Sequence, residues 1–169
     1  QRKVYLDDAT GLPNKNKCEE LLSEEEPDAD TGVCSFDLNN LKKINDNMGH
    51  TYGDDLISGF ARILKETFEK EAVVGRMGGD EFIVIVRSDD GRIDYETFRK
   101  KLQHVIDEYN HKESRFKYSV ACGYADSTEA GDNNGNVDAR QIYSMADDRM
   151  YVHKRKIKEK MKQEKSHNE

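Results

Sequence analysis

The stretch that decides the fold reads Ala72-Val73-Val74-Gly75-Arg76-Met77-Gly78-Gly79-Asp80-Glu81-Phe82-Ile83-Val84-Ile85-Val86. Two short apolar runs rich in β-branched residues flank a Gly-Gly pair, the pattern of two antiparallel strands joined by a turn. Glycines at such a tip allow positive φ and let a ligand approach bare backbone. Two carboxylates, Asp80 and Glu81, stand beside the turn. A tip of glycines and acids suits a metal ion and a nucleotide phosphate or ribose better than packing, although the same letters occur in ordinary surface hairpins. A second acid bears on that choice. Val33-Cys34-Ser35-Phe36-Asp37-Leu38 has strand character, and Asp37 falls where the chain leaves the strand. Two strand-end carboxylates side by side make an all-oxygen site, the preference of Mg²⁺, which also keeps waters and phosphate oxygens.

Outward from the hairpin the chain alternates helices and strands. A helix is predicted from Asn14 to about Ser23, then an acidic loop, Glu24 to Gly32, with Pro27 inside it. A turn of helix around 39–46 precedes a loop at Gly49–Gly53. A long helix starts near Asp54, with Leu56, Ile57, Phe60, Ala61, Leu64 and Phe68 at helical spacing. Another helix is expected from about Asp94 to Asn110. Phe116, Tyr118, Val120, Cys122 and Tyr124 alternate like a half-buried strand. The Asp/Asn/Gly-rich segment from Asp126 to Val137 reads as an exposed loop, and a last helix runs from about Asp138 into a lysine-rich tail. Strands separated by helices ordinarily indicate a parallel sheet. The central hairpin points instead to an α/β (α+β) fold with a mixed, mostly antiparallel sheet flanked by helices.

Four segments together resemble one family. Gly78-Gly79-Asp80-Glu81-Phe82 matches the signature of GGDEF domains, the diguanylate cyclases, letter for letter. Asp37-Leu38-Asn39-Asn40-Leu41-Lys42-Lys43-Ile44-Asn45-Asp46-Asn47-Met48-Gly49-His50-Thr51-Tyr52-Gly53-Asp54 resembles its metal and guanine segment. Ala146 to Lys154 looks like its C-terminal helix motif, and Asp7 to Lys15 resembles its opening turn. They come in family order from residue 7 to about residue 158. The resemblance implies a sheet of about five strands, related to nucleotidyl cyclases and polymerase palms. It also implies condensation of two GTP into cyclic di-GMP and pyrophosphate, each 3′-hydroxyl attacking the other nucleotide's α-phosphate, across a homodimer.

The implied site follows residue by residue. Asp37 and Asp80 are the side-chain ligands of Mg²⁺ (or Mn²⁺), with the Leu38 carbonyl as a third oxygen. Asp80 or Glu81 assists deprotonation of the hydroxyl. Successive strand residues face opposite ways, so both acids would face one ion only if the turn twists; Asp80 is the favoured ligand. Asn45 and Asp54 match the guanine readers, since a carboxylate accepts from guanine N1–H and N2–H₂ and an amide bonds the purine edge. On packing grounds alone, Asn45 would close a turn and Asp54 would cap the long helix. His50 reaches the nucleotide or orders its loop. Lys42, Lys154 and Lys158 match phosphate-binding positions, and Gly78 and Gly79 offer backbone to the substrate.

Departures from the family pattern matter too. Lys158 stands where Arg is frequent, keeping charge but losing bidentate geometry. Ala9 and Lys15 replace the usual Leu and Arg of the opening turn. Many members carry an inhibitory product site, Arg-x-x-Asp, where this chain reads Glu69-Lys70-Glu71-Ala72, so no product inhibition is expected through it. A catalytically silent GTP-binding regulatory module remains the alternative to an active cyclase. A different purine cyclic dinucleotide is a third reading, which Asp54 disfavours.

Composition sets outer bounds. The 169 residues are one domain's worth, with 36% charged and 35% apolar side chains. Residues 1–6 read as a linker from a missing upstream sensory or receiver region, and about 159–169 as a charged tail; the chain begins at Gln1 rather than Met. A net charge of −7 argues against nucleic acid and against direct membrane contact, and no run is long enough to span a bilayer. The basic stretch Lys154–Lys160 reads as a solvated helix end. Cys18, Cys34 and Cys122 form no disulfide framework, which fits reduced thiols and a cytoplasmic setting, or the cytoplasmic face of a membrane sensor.

Overall fold

The computed structural model describes residues 2–24, 30–68, 72–88, 94–129 and 138–168. In chain order the elements are α1 (Arg2–Tyr5), α2 (Lys15–Ser23), β1 (Asp30–Leu38), α3 (Leu41–Met48), α4 (His50–Thr67), β2 (Ala72–Arg76), β3 (Glu81–Ser88), α5 (Tyr95–Lys112), β4 (Val120–Asp126) and α6 (Ala139–His167). The sheet runs β2-β3-β1-β4, and every pairing in it is antiparallel. It has four strands among the described residues, where about five were expected.

Side-chain parity explains the layers. On β3, Phe82, Val84 and Val86 enter one core with Phe36, Leu56, Phe60 and Leu64, under α4 and α5. Ile83 and Ile85 point the other way, to a second core with Cys18, Val33, Ile142 and Ala146 beneath α2 and α6. Both central strands are therefore apolar on both faces, which is why the β3 run shows no alternation. Phe60 sits edge-on to Phe36 and Phe82, with centroids 6.2 and 5.1 Å away. Each such fully buried phenyl ring contributes roughly 2–3 kcal/mol.

Helix starts follow local chemistry. The Asn14 and Asp94 side chains accept from the Lys17 and Thr97 N–H groups, capping α2 and α5. Three expectations need correction. The strand that carries Asp37 begins at Asp30, inside the segment read as an acidic loop, because its pairing with β3 extends to Asp30↔Ser88. The Gly49–Gly53 segment is not a loop. Gly49 alone turns the corner between α3 and α4 with φ +97°, and α4 begins at His50, so Asp54 lies inside the helix and does not cap it. The last strand begins at Val120, not Phe116. Ahead of it, the Asn110 side-chain amide takes both backbone groups of Tyr118, accepting its N–H at 2.6 Å and donating to its carbonyl at 2.9 Å. A side chain thus replaces a ladder partner there, while Phe116 and Tyr118 stay buried. The Glu69 segment and most of the predicted 126–137 loop lie outside the described residues. No helix among those described is long and apolar enough to cross a membrane.

Candidate active site

The hairpin tip is built by backbone bonds and one arginine. Past the Arg76↔Phe82 pair, the Met77 and Gly78 N–H groups both donate to the Glu81 carbonyl, at 2.8 and 3.3 Å. Neither signature glycine uses a positive φ; among described glycines only Gly11 and Gly49 do. Their role is spatial instead. A Cβ on Gly79 would meet nothing within 4 Å, so its backbone is open to an approaching group, and one on Gly78 would lie 3.3 Å from Glu81 Oε2. The Arg76 guanidinium donates from Nε to the Gly78 carbonyl (3.0 Å) and from Nη2 to the Gly79 carbonyl (2.8 Å). Its Nη1 meets both oxygens of Asp7, at 3.2 and 3.1 Å. Burial opposes charge on Asp7, but the Thr10 hydroxyl and the Arg76 guanidinium outweigh it and hold this carboxyl below its ordinary range. Sequence reading assigned a site role to neither Arg76 nor Asp7; a lone cation ending an apolar strand was the available signal.

The acids converge next to this tip. The Leu38 N–H donates to the Asp80 carbonyl at 2.8 Å, stapling the end of β1 to the turn, and Asp37 faces Glu81 across the ladder. Asp80 precedes the first residue of β3, so the turn carries its side chain round. One oxygen each of Asp37, Asp80 and Glu81 lies within 4.8 Å of the others. Asp37 is buried, 5% exposed, and its Oδ1 has no hydrogen-bond partner among the described residues. Its Oδ2 accepts from Lys154 Nζ at 2.8 Å, and that bond raises the lysine's proton affinity. Burial, then the Asp37 charge, pushes Asp80 above the ordinary carboxylate range; burial and Asp147, ahead of Asp37 and Asp80, do the same to Glu81. A buried acidic oxygen without a partner, amid two further carboxylates of raised proton affinity, fits a hard divalent cation.

The chain then turns at Asn39 and Asn40, the latter at φ 72°, into α3. Lys42 is 92% exposed and pairs along the helix with Asp46 at 3.0 Å. Asn45 is half-buried, while His50, Asp54 and Lys158 are exposed. None of these last four hydrogen-bonds through its side chain to a described residue. Asn45 lies directly against Gly53 of α4: a Cβ there would fall 1.8 Å from Asn45 Oδ1. Of the three lysines expected at phosphates, only Lys154 touches the acid cluster in this structure.

The family model described as "Diguanylate cyclase, GGDEF domain" matches residues 4–160. The chain belongs to the GGDEF domain family. Among curated relatives of this GGDEF domain, the cyclic di-GMP phosphodiesterase PdeR of Escherichia coli is 40% identical over 82 residues, 47% of this chain and 12% of its own length. The diguanylate cyclase DgcS of Shewanella oneidensis is 27% identical over 154 residues, 88% of this chain and 49% of its own length. The chain thus spans half or less of these relatives. Among solved structures, the coiled coil and GGDEF domain of DgcB from Caulobacter crescentus, in complex with c-di-GMP, shares the fold with a TM-score of 0.74 at 22% identity. That match covers 91% of this chain and 82% of that one.

Proposed function

We propose that this GGDEF domain is a diguanylate cyclase, joining two GTP into cyclic di-GMP with release of pyrophosphate. The observation that carries the reading is that Asp37, Asp80 and Glu81 each bring one oxygen within 4.8 Å of the others, while the buried Asp37 Oδ1 has no hydrogen-bond partner among the described residues. Asp37, Asp80 and the Leu38 carbonyl would hold Mg²⁺ or Mn²⁺, which when bound neutralises triphosphate charge and polarises the α-phosphate. Glu81 has no ion pair among the described residues, and its raised proton affinity suits a group that takes the proton of the 3′-hydroxyl; Asp80 shares that property. Lys154, with Lys42 and Lys158, supplies point charges for the phosphates. Open backbone at Gly79, with Gly78 leaving space beside Glu81, gives the nucleotide room, and Asn45 and Asp54 read the guanine edge. One chain holds one nucleotide in this scheme, so the attacking hydroxyl comes from a second copy across a two-fold axis.

The test is product analysis of concentrated protein incubated with GTP and Mg²⁺, with ATP as competitor. Cyclic di-GMP and pyrophosphate are expected, at a rate rising more than linearly with protein concentration. No product at any concentration, with GTP binding retained, would instead identify a regulatory module without turnover. The similarity to a segment of PdeR, a protein named for cyclic di-GMP hydrolysis, keeps that second reading in view.

A further inference from the structure

Helix α4 contains two glycines, Gly53 at the close of its first turn and Gly59 in its interior, although glycine weakens a helix relative to alanine. Gly59 is accounted for by the core: a Cβ there would fall 1.8 Å from the hydroxyl oxygen of buried Tyr118. Gly53 needs another account. It has no left-handed φ, and its N–H makes a helical bond to the Gly49 carbonyl at 3.3 Å. The three atoms nearest to its missing Cβ all belong to the Asn45 side chain, with Oδ1 at 1.8 Å, Cγ at 2.8 Å and Nδ2 at 3.4 Å. Asn45 is half-buried and uses its amide on no described residue. The glycine therefore accommodates a polar group that is free to bond something else, rather than core packing.

We propose that Gly53 is a specificity-determining positioning residue: its bare backbone seats the Asn45 amide at the face where the purine edge binds. This rests on the reading of Asn45 as a guanine contact. Any side chain at position 53 drives the amide off that seat, and since the displaced group ends a short, rotatable, half-buried side chain rather than backbone, the helix itself need not move. Function and stability then part company. Gly53→Ala gains helix propensity while it loses the part of the discrimination between guanine and adenine that the seated Asn45 Oδ1 adds to that of Asp54, by accepting from guanine N2–H₂, a donor that adenine lacks.

The experiment measures binding of 3′-deoxy-GTP and 3′-deoxy-ATP, which cannot be turned over, to the 169-residue chain in Mg²⁺ by calorimetry. Gly53→Ala is expected to melt no lower than wild type and to bind the guanine nucleotide about tenfold more weakly, leaving the adenine nucleotide within about twofold. Asn45→Ala with Gly53→Ala is expected to bind no more weakly than Asn45→Ala alone, because the two changes remove one interaction. Unchanged guanine binding in Gly53→Ala, additive losses in the pair, or a lower melting point with equal loss of both nucleotides would overturn the role of Gly53 while leaving the nucleotide site standing. Wild-type protein that binds neither nucleotide would overturn the site reading and this proposal with it.

Discussion

At the scale of single residues, the acid cluster sits in tension with the apo fold. Asp80 and Glu81 both have proton affinities raised by burial and by neighbouring carboxylates. A carboxyl whose pKa is higher folded than unfolded adds stability below its unfolded pKa, and that contribution is lost as pH rises through the folded value. At neutral pH Lys154 offsets only part of this repulsion, so the ionised cluster gains from a further, divalent cation. Asp80→Asn should stabilise the metal-free domain at pH 7, by about 1 kcal/mol or less for a part-exposed charge term, and should abolish Mn²⁺ binding. Thermal melts of both forms across pH 4–7, with Mn²⁺ titrations by paramagnetic relaxation, check this. The stabilisation should shrink toward the acid end, and as pH is lowered wild-type Mn²⁺ affinity should begin to fall before the ordinary carboxylate range is reached. Asp37, Asp80 and Glu81 were legible in the sequence because strand ends, glycines and acids coincide there. Arg76, Asp7 and Gly53 were not, because each acts through a partner distant in sequence or through an atom it lacks.

At the scale of elements, the sequence located nearly every helix and strand, and it failed where one residue or one side chain did the work expected of a segment. A loop was read across Gly49–Gly53 because two glycines bracket it; the structure turns on Gly49 alone. A strand was read from Phe116 because its alternation is regular; the Asn110 amide satisfies that backbone instead. Contacts between elements are the least visible from sequence. Helix α6 rests on β4 at Gly123, where a Cβ would fall 2.2 Å from the Ala146 carbonyl and 2.3 Å from the Met150 nitrogen. Backbone atoms cannot rotate aside, so Gly123→Ala must lift the helix. A loss of about 1–3 kcal/mol is expected, as for other overpacked sites, read by urea denaturation. Because α6 also carries Lys154 to Asp37, the cyclase activity proposed above should fall even at temperatures where the variant remains folded.

At the scale of the whole molecule, the four segments that resembled the family lie within the region its model matches, residues 4–160, and the antiparallel sheet with helices on both faces follows the expected architecture. The two-sided burial of β1 and β3 was not stated by any local pattern, since a continuous apolar run reads the same in a buried strand and in a buried helix. Regulation is a property of this scale as well. With Glu69 and Ala72 at the positions of Arg and Asp, cyclic di-GMP should not inhibit noncompetitively; steady-state rates with added product would show only competition with GTP. Clear noncompetitive inhibition that disappears in Glu69→Ala would contradict this. The Arg76 fork has a consequence for how the chain can be controlled. One guanidinium bonds Asp7 and the carbonyls of both signature glycines, so it ties the residue-7 turn to the tip of the hairpin. Breaking the Asp7 contacts would free the guanidinium that holds both glycine carbonyls, so a change confined to the residue-7 turn loosens the hairpin tip without disturbing a single strand pairing.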